Sequence, residues 1–221
     1  MTMGSRDEEG KRRAPRTLTL WRALGKSLVV MAIVSVSMTL PMTRLAHAAT
    51  VEREGVRYED TVRVGNTKLV LNGIGVRAVA WLKGYVAGLY LSQKEGEAEQ
   101  VYTLQGPKRI AVKMLLDIDS GLLAKTFSDG IRKNYRDDEL EALRPRMDAF
   151  DAQVRAIGGV KKGDTIDLDF QPASGTRILV NGKPRGDAIA GDDFYVALLK
   201  MFIGERAIDK NLRAALLGKG S

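Results

Sequence analysis

The residues best able to do chemistry in this chain are one cation and one phenol on neighbouring β-like segments. Arg77 lies in the apolar stretch Gly73-Ile74-Gly75-Val76-Arg77-Ala78-Val79-Ala80-Trp81, and Tyr85 opens the next, Tyr85-Val86-Ala87-Gly88-Leu89-Tyr90-Leu91. A guanidinium stays charged and offers five donors in a fixed fork. Arg77 and Tyr85 converging across a hairpin would present a bidentate contact and a phenol donor to a carboxylate or an enolate. The structural alternatives are an Arg77 that reaches solvent or pairs with an acid, and a Tyr85 that only packs in the core. An inward Arg77 needs an anionic partner, because an unpaired buried charge costs several kcal/mol, on the order of 3–5.

The rest of the inventory narrows the chemistry. The chain has no Cys, and its single His is His47. Residues 1–48 have the form of a secretory signal peptide: a basic stretch from Arg6 to Lys26, an apolar run from Leu28 to Met38, and the small-x-small site Ala46-His47-Ala48. Cleavage there removes His47 and leaves residues 49–221 as one exported domain. That domain cannot run Ser-His-Asp or Cys-His catalysis, thiol redox chemistry, imidazole- or thiolate-bound zinc, or haem held by His or Cys. We expect no cofactor and no metal. The leader also carries 8 of the 35 Lys and Arg residues and 3 of the 27 Asp and Glu. The net charge of +8 therefore falls to about +3, which does not suggest a nucleic-acid partner. We further expect a monomer with no stable membrane anchor once the leader is gone.

The elements that must position Arg77 and Tyr85 follow from periodicity and punctuation. Alternation over Val62, Val64, Leu69 and Leu71 predicts strands, and Leu82-Lys83-Gly84 is the expected hairpin turn. If that turn keeps register, Trp81 and Tyr85 share a face, whereas Tyr85 and Tyr90 lie on opposite faces. A short helix is expected over 97–104 and a strand over 109–116. A helix capped by Asp119 or Ser120 should bury Leu123, Phe127 and Ile131, and a second should run over 138–157, broken or restarted at Pro145. Thr165–Phe170 and Arg177–Val180 read as strands, and Asn181-Gly182 as a tight turn. Asp192–Ile203 and Ile208–Leu217 read as helices. Asp167 and Asp169 share one strand face, expected to be solvated. The order of strands, helices, strands and helices predicts an α+β fold with a largely antiparallel sheet. Gly73-x-Gly75-x-x-Ala78 matches a dinucleotide fingerprint, but no helix follows it, so it reads as a bulged strand.

These segments resemble the chalcone isomerase-like family, specifically its bacterial exported branch. The likeness is carried by Asn72-Gly73-Ile74-Gly75-Val76-Arg77, by Lys83 to Leu91, and by the stretch from Gly182 to Gly204 with the short helix after it. The resemblance implies an open-faced β-sandwich: a large antiparallel sheet covered by helices, with a ligand cleft between. Some plant members of this family close chalcones into flavanones, and related ones bind fatty acids. By that likeness Arg77 corresponds to the oxyanion-holding Arg, and Tyr85 falls near a Thr of the isomerase site. Asp187 takes the place of a late Thr, while Ala124 and Ile131 stand where the isomerase has Tyr and Asn. The resemblance thus implies a periplasmic, non-catalytic protein that holds a fatty acid or similar amphipathic carboxylate through Arg77, Tyr85 and Asp187. The alternative it implies is an isomerase of the intramolecular lyase type acting on an aromatic or enone substrate. Arg77 would then steady an enolate, and Tyr85, Lys83 or Asp187 would move the proton.

Overall fold

The computed structural model describes residues 49–220; the signal peptide expected over 1–48 lies outside them. The first two strands, β1 (Thr50–Arg53) and β2 (Val56–Glu59), form a hairpin of their own. The other seven make one antiparallel sheet in strict chain order: β3 (Thr61–Val64), β4 (Thr67–Val79), β5 (Leu82–Leu91), β6 (Lys108–Met114), β7 (Thr165–Gln171), β8 (Gly175–Val180) and β9 (Lys183–Ile189). The sheet curls enough for Gln171, at the end of β7, to lie against Gly65 in the β3–β4 turn.

Five helices cover one face: α1 (Ala98–Thr103), α2 (Ser120–Arg132), α3 (Asp137–Ala156), α4 (Asp192–Ile203) and α5 (Lys210–Leu216). Leu123, Phe127 and Ile131 are all buried on α2, and Asp119 caps that helix by accepting the Leu122 N–H at 2.9 Å. The helix face of the sheet supplies Ala87, Leu89, Leu91, Ile166, Leu168 and Phe170 to the main core. A second, smaller core lies on the opposite face beneath the β1–β2 hairpin, around Tyr58, Leu71, Val86 and Tyr90. Tyr85 and Tyr90 do face opposite layers. The Tyr58 hydroxyl donates to the Val86 carbonyl at 2.9 Å, and its ring fills the space that a side chain at Gly88 would need.

Four expectations are corrected. The hairpin turn is Ala80-Trp81, not Leu82-Lys83-Gly84, because Val79 pairs with Leu82 and Ala78 with Lys83. Trp81 therefore sits in the turn and shares no strand face with Tyr85. Helix α3 runs unbroken through Pro145, which lies on its exposed side, where the carbonyl one turn back can bond to water. Strand β9 was not anticipated: its sequence, Lys-Pro-Arg-Gly-Asp-Ala-Ile, is exposed over most of its length and lacks alternation. Asp167 and Asp169 are not a solvated pair. Asp169 is buried and accepts from Arg109 Nε at 2.5 Å and Nη2 at 2.6 Å, and Asp167 lies 3.8 Å from the same guanidinium.

Candidate functional site

The motif Asn72-Gly73-Ile74-Gly75-Val76-Arg77 is a seat for helix α5. A bulge between Leu71 and Gly73 takes Asn72 out of the pairing. Its side-chain amide then donates to the Leu216 carbonyl at 2.8 Å and to Glu95 O at 2.9 Å, while its Oδ1 accepts the Glu95 N–H at 2.7 Å. Gly73 and Gly75 let the helix lie directly on the strand. A methyl at Gly73 would stand 2.0 Å from the Ala215 carbonyl oxygen, and one at Gly75 would stand 2.7 Å from the Ala215 Cβ. At the other end of α5, Arg77 Nη1 donates to Asp209 Oδ2 at 3.4 Å. The other oxygen of Asp209 accepts the N–H groups of Asn211 and Leu212, both at 2.9 Å, and so caps the helix. The two glycines thus serve close helix–strand approach, and no phosphate-binding turn is built here.

Arg77 and Tyr85 are direct partners in the β4–β5 register and face the helical layer. The Tyr85 ring is only partly covered, but its hydroxyl oxygen is sealed from solvent and has no hydrogen-bond partner among the described residues. Burial pushes its pKa well above the usual phenol value; the nearby Arg77 cation opposes that shift and the Asp209 carboxylate adds to it. The phenol therefore stays protonated at any physiological pH, a donor lacking an acceptor.

Arg77 is held loosely by comparison with Arg109, whose two parallel bonds to Asp169 close the pair. Arg77 spends a single nitrogen, Nη1, on Asp209 and on the Ala78 carbonyl at 3.2 Å, and its side chain is 22% exposed. No bond from its Nε or Nη2 is made to the described residues. The unspent hydrogen-bonding groups here are Nε and Nη2 of Arg77 and the Tyr85 hydroxyl, and Asp209 is the anion already beside them.

Asp187 does not join them. It lies exposed on β9, the far edge strand, and its carbonyl accepts from Gln153 Nε2 of α3 at 3.0 Å. Lys83 pairs with Glu54 at 2.5 Å, next to the hairpin turn. Ala124 and Ile131 are fully packed in the core of the helical layer. Sequence reading missed Asp209 altogether, because its contact with Arg77 spans 132 residues. The local clue was an Asp at the N-cap of the last helix, a position that capping alone explains. A polar cleft of about 370 Å³ elsewhere is lined by Tyr102, Tyr135, Lys200 and Arg206 among others, and carries charges of both signs. Lys200 Nζ lies 4.6 Å from the centre of the Tyr135 ring there.

The model of the chalcone isomerase-like family matches residues 50–218, which include every element from β1 to α5. The chain belongs to the chalcone isomerase-like family. No curated protein matches it by sequence. Among solved structures it is similar to the Arabidopsis thaliana fatty-acid binding protein AtFAP1, at 15% identity and a TM-score of 0.58. That match covers 76% of this chain and 96% of the plant protein. At this identity the likeness speaks for the fold: the antiparallel sheet with its helical layer is that of the chalcone isomerase-like proteins.

Proposed function

We propose that this chalcone isomerase-like protein is an exported, non-catalytic binder of a fatty acid or similar amphipathic carboxylate. Arg77 and Tyr85 hold the headgroup. The observation that carries this reading is the sealed, unpartnered Tyr85 hydroxyl directly opposite a guanidinium with donors to spare. Leaving a buried hydroxyl unpaired costs on the order of 1–3 kcal/mol, and a bound carboxylate oxygen would relieve that cost. The guest meets the unused Nε and Nη2 donors of Arg77, with the Asp209 carboxylate as the neighbouring charge that opposes it. The similarity to a protein titled fatty-acid binding supports the ligand class. The basic stretch, apolar run and Ala-His-Ala site support export to the periplasm.

The geometry favours binding over turnover. Proton transfer to an enolate would need a titrating group beside Arg77. Burial holds the Tyr85 phenol protonated, Asp209 is occupied by Arg77 and by the N–H groups it caps, Lys83 pairs with Glu54, and Asp187 lies exposed on the far edge strand.

Native mass spectrometry of protein taken from a periplasmic extract tests both parts. We expect a mature chain beginning at Ala49 with a bound fatty acid, and loss of that ligand in Arg77→Ala. Asp209→Asn keeps a good helix cap but removes the competing charge, and should bind fatty acid several-fold more tightly. Equal loading of Arg77→Ala and wild type would reject the headgroup assignment.

A further inference from the structure

The tip of the β4–β5 hairpin is the most exposed apolar feature of the described residues. Trp81 is 87% exposed, Val79 62% and Leu82 45%. Val79 and Leu82 are the last paired residues, so the two aliphatic side chains flank a two-residue turn with the indole at its apex. The turn backbone is itself unusual: Ala80 has φ of +53°, a left-handed conformation that costs a non-glycine residue about 1–2 kcal/mol. A second exposed leucine, Leu122 at 52%, stands in the first turn of α2. It lies at the same end of the sheet, because the Leu115 N–H that leads toward α2 bonds to the Gly84 carbonyl at 2.9 Å.

We propose that this tip is a membrane-interface anchor, with the Trp81 indole and its flanking Val79 and Leu82 entering the headgroup–acyl boundary of a bilayer. Tryptophan favours that boundary because its ring is apolar and its N–H remains able to donate. A second protein is a poorer occupant. Stable protein interfaces bury upward of about 1,000 Å² of total surface, more than three side chains on a narrow loop can supply. Among the described residues no helix is long and apolar enough to cross a membrane, so attachment through the tip is interfacial and reversible. Lys83, opposite Ala78 and paired with Glu54, sits one register step behind the tip. This inference does not depend on what Arg77 and Tyr85 bind.

The test uses the full chain carrying Trp21→Phe, which makes Trp81 the only tryptophan. Vesicles of phosphatidylethanolamine and phosphatidylglycerol, with and without brominated acyl chains, are the probe. Sedimentation with vesicles is not the readout, because the apolar run at residues 28–38 can hold the chain to lipid on its own. We expect Trp81 emission to shift to shorter wavelength with vesicles and to be quenched by the bromines. In Val79→Ser/Leu82→Ser, whose circular dichroism should match that of the wild type, both effects should fall by about tenfold or more, since the buried apolar area is lost. Unchanged Trp81 emission on vesicles that carry the chain would overturn the proposal. So would a blue shift that grows with protein concentration in the absence of lipid, which would assign the tip to a second copy of the chain.

Discussion

Replacing Gly73 by Ala tests whether the glycine-rich motif exists to seat α5. The new methyl would stand 2.0 Å from the Ala215 carbonyl oxygen and 2.7 Å from that of Leu216. A carbon–oxygen contact needs about 3.3 Å, so the helix must retreat by roughly 1 Å. Both obstacles are main-chain atoms, and no rotamer change removes them. Retreat is resisted by Leu212 and Leu216, which are fully buried, and by the Asn72 bond to Leu216. Overpacking of this kind costs about 1–3 kcal/mol. Complete undocking, which forfeits two buried leucines, would cost roughly 3–6 kcal/mol. We therefore expect a loss of about 2–4 kcal/mol, and at roughly 2–4 °C per kcal/mol for a domain of this size a fall in Tm of about 5–15 °C. Urea denaturation followed by circular dichroism measures it. Gly84→Ala is the control: its methyl would meet nothing nearer than the Arg77 carbonyl oxygen at 3.6 Å, and it should be neutral or slightly stabilising. If Gly73→Ala unfolds within about 0.5 kcal/mol of wild type, the seat is not what the motif provides.

Two further outcomes follow from single positions. Ala80→Gly relieves the left-handed turn residue and should raise stability by about 1 kcal/mol in the same urea assay; a loss would mean the turn conformation is not strained. Asp167 titrates above the usual carboxylate value because it is buried, although the Arg109 cation opposes the shift. The folded state then binds the proton more tightly than the unfolded state, so this group's contribution to stability falls as pH rises above about 4. Asp167→Asn should remove that part of the slope in a series of urea melts from pH 4 to 7, and should not destabilise the protein at neutral pH. An unaltered slope would contradict the burial argument.

Much of the fold was legible in local pattern. The spacing of Leu123, Phe127 and Ile131 marks the buried side of α2, and Ile166, Leu168 and Phe170 mark the helix-facing side of β7. The Asn181-Gly182 turn has both residues at positive φ, as such a turn requires. That turn also implied a partner for β8. Yet β9 escaped notice because an edge strand with Pro184 and Gly186 has no buried side to impose alternation. Arg77 and Tyr85 were legible as a pair across a hairpin, and the two-residue shift of the turn left them facing each other. Asp209, the Arg109–Asp169 pair and the reason for Gly73 and Gly75 were not legible. Each depends on contacts between distant parts of the chain, and the last on the path of a helix some 140 residues away.

The most direct test of the carboxylate site is a calorimetric titration of wild type and Tyr85→Phe with a long-chain fatty acid, alongside urea melts of both. The variant should be as stable as wild type or about 1 kcal/mol more so, since it deletes only an unpartnered buried hydroxyl. It should bind about tenfold more weakly, the worth of one hydrogen bond to a charged group. A Tyr85→Phe protein that gains stability and binds the fatty acid as tightly as wild type would contradict the account.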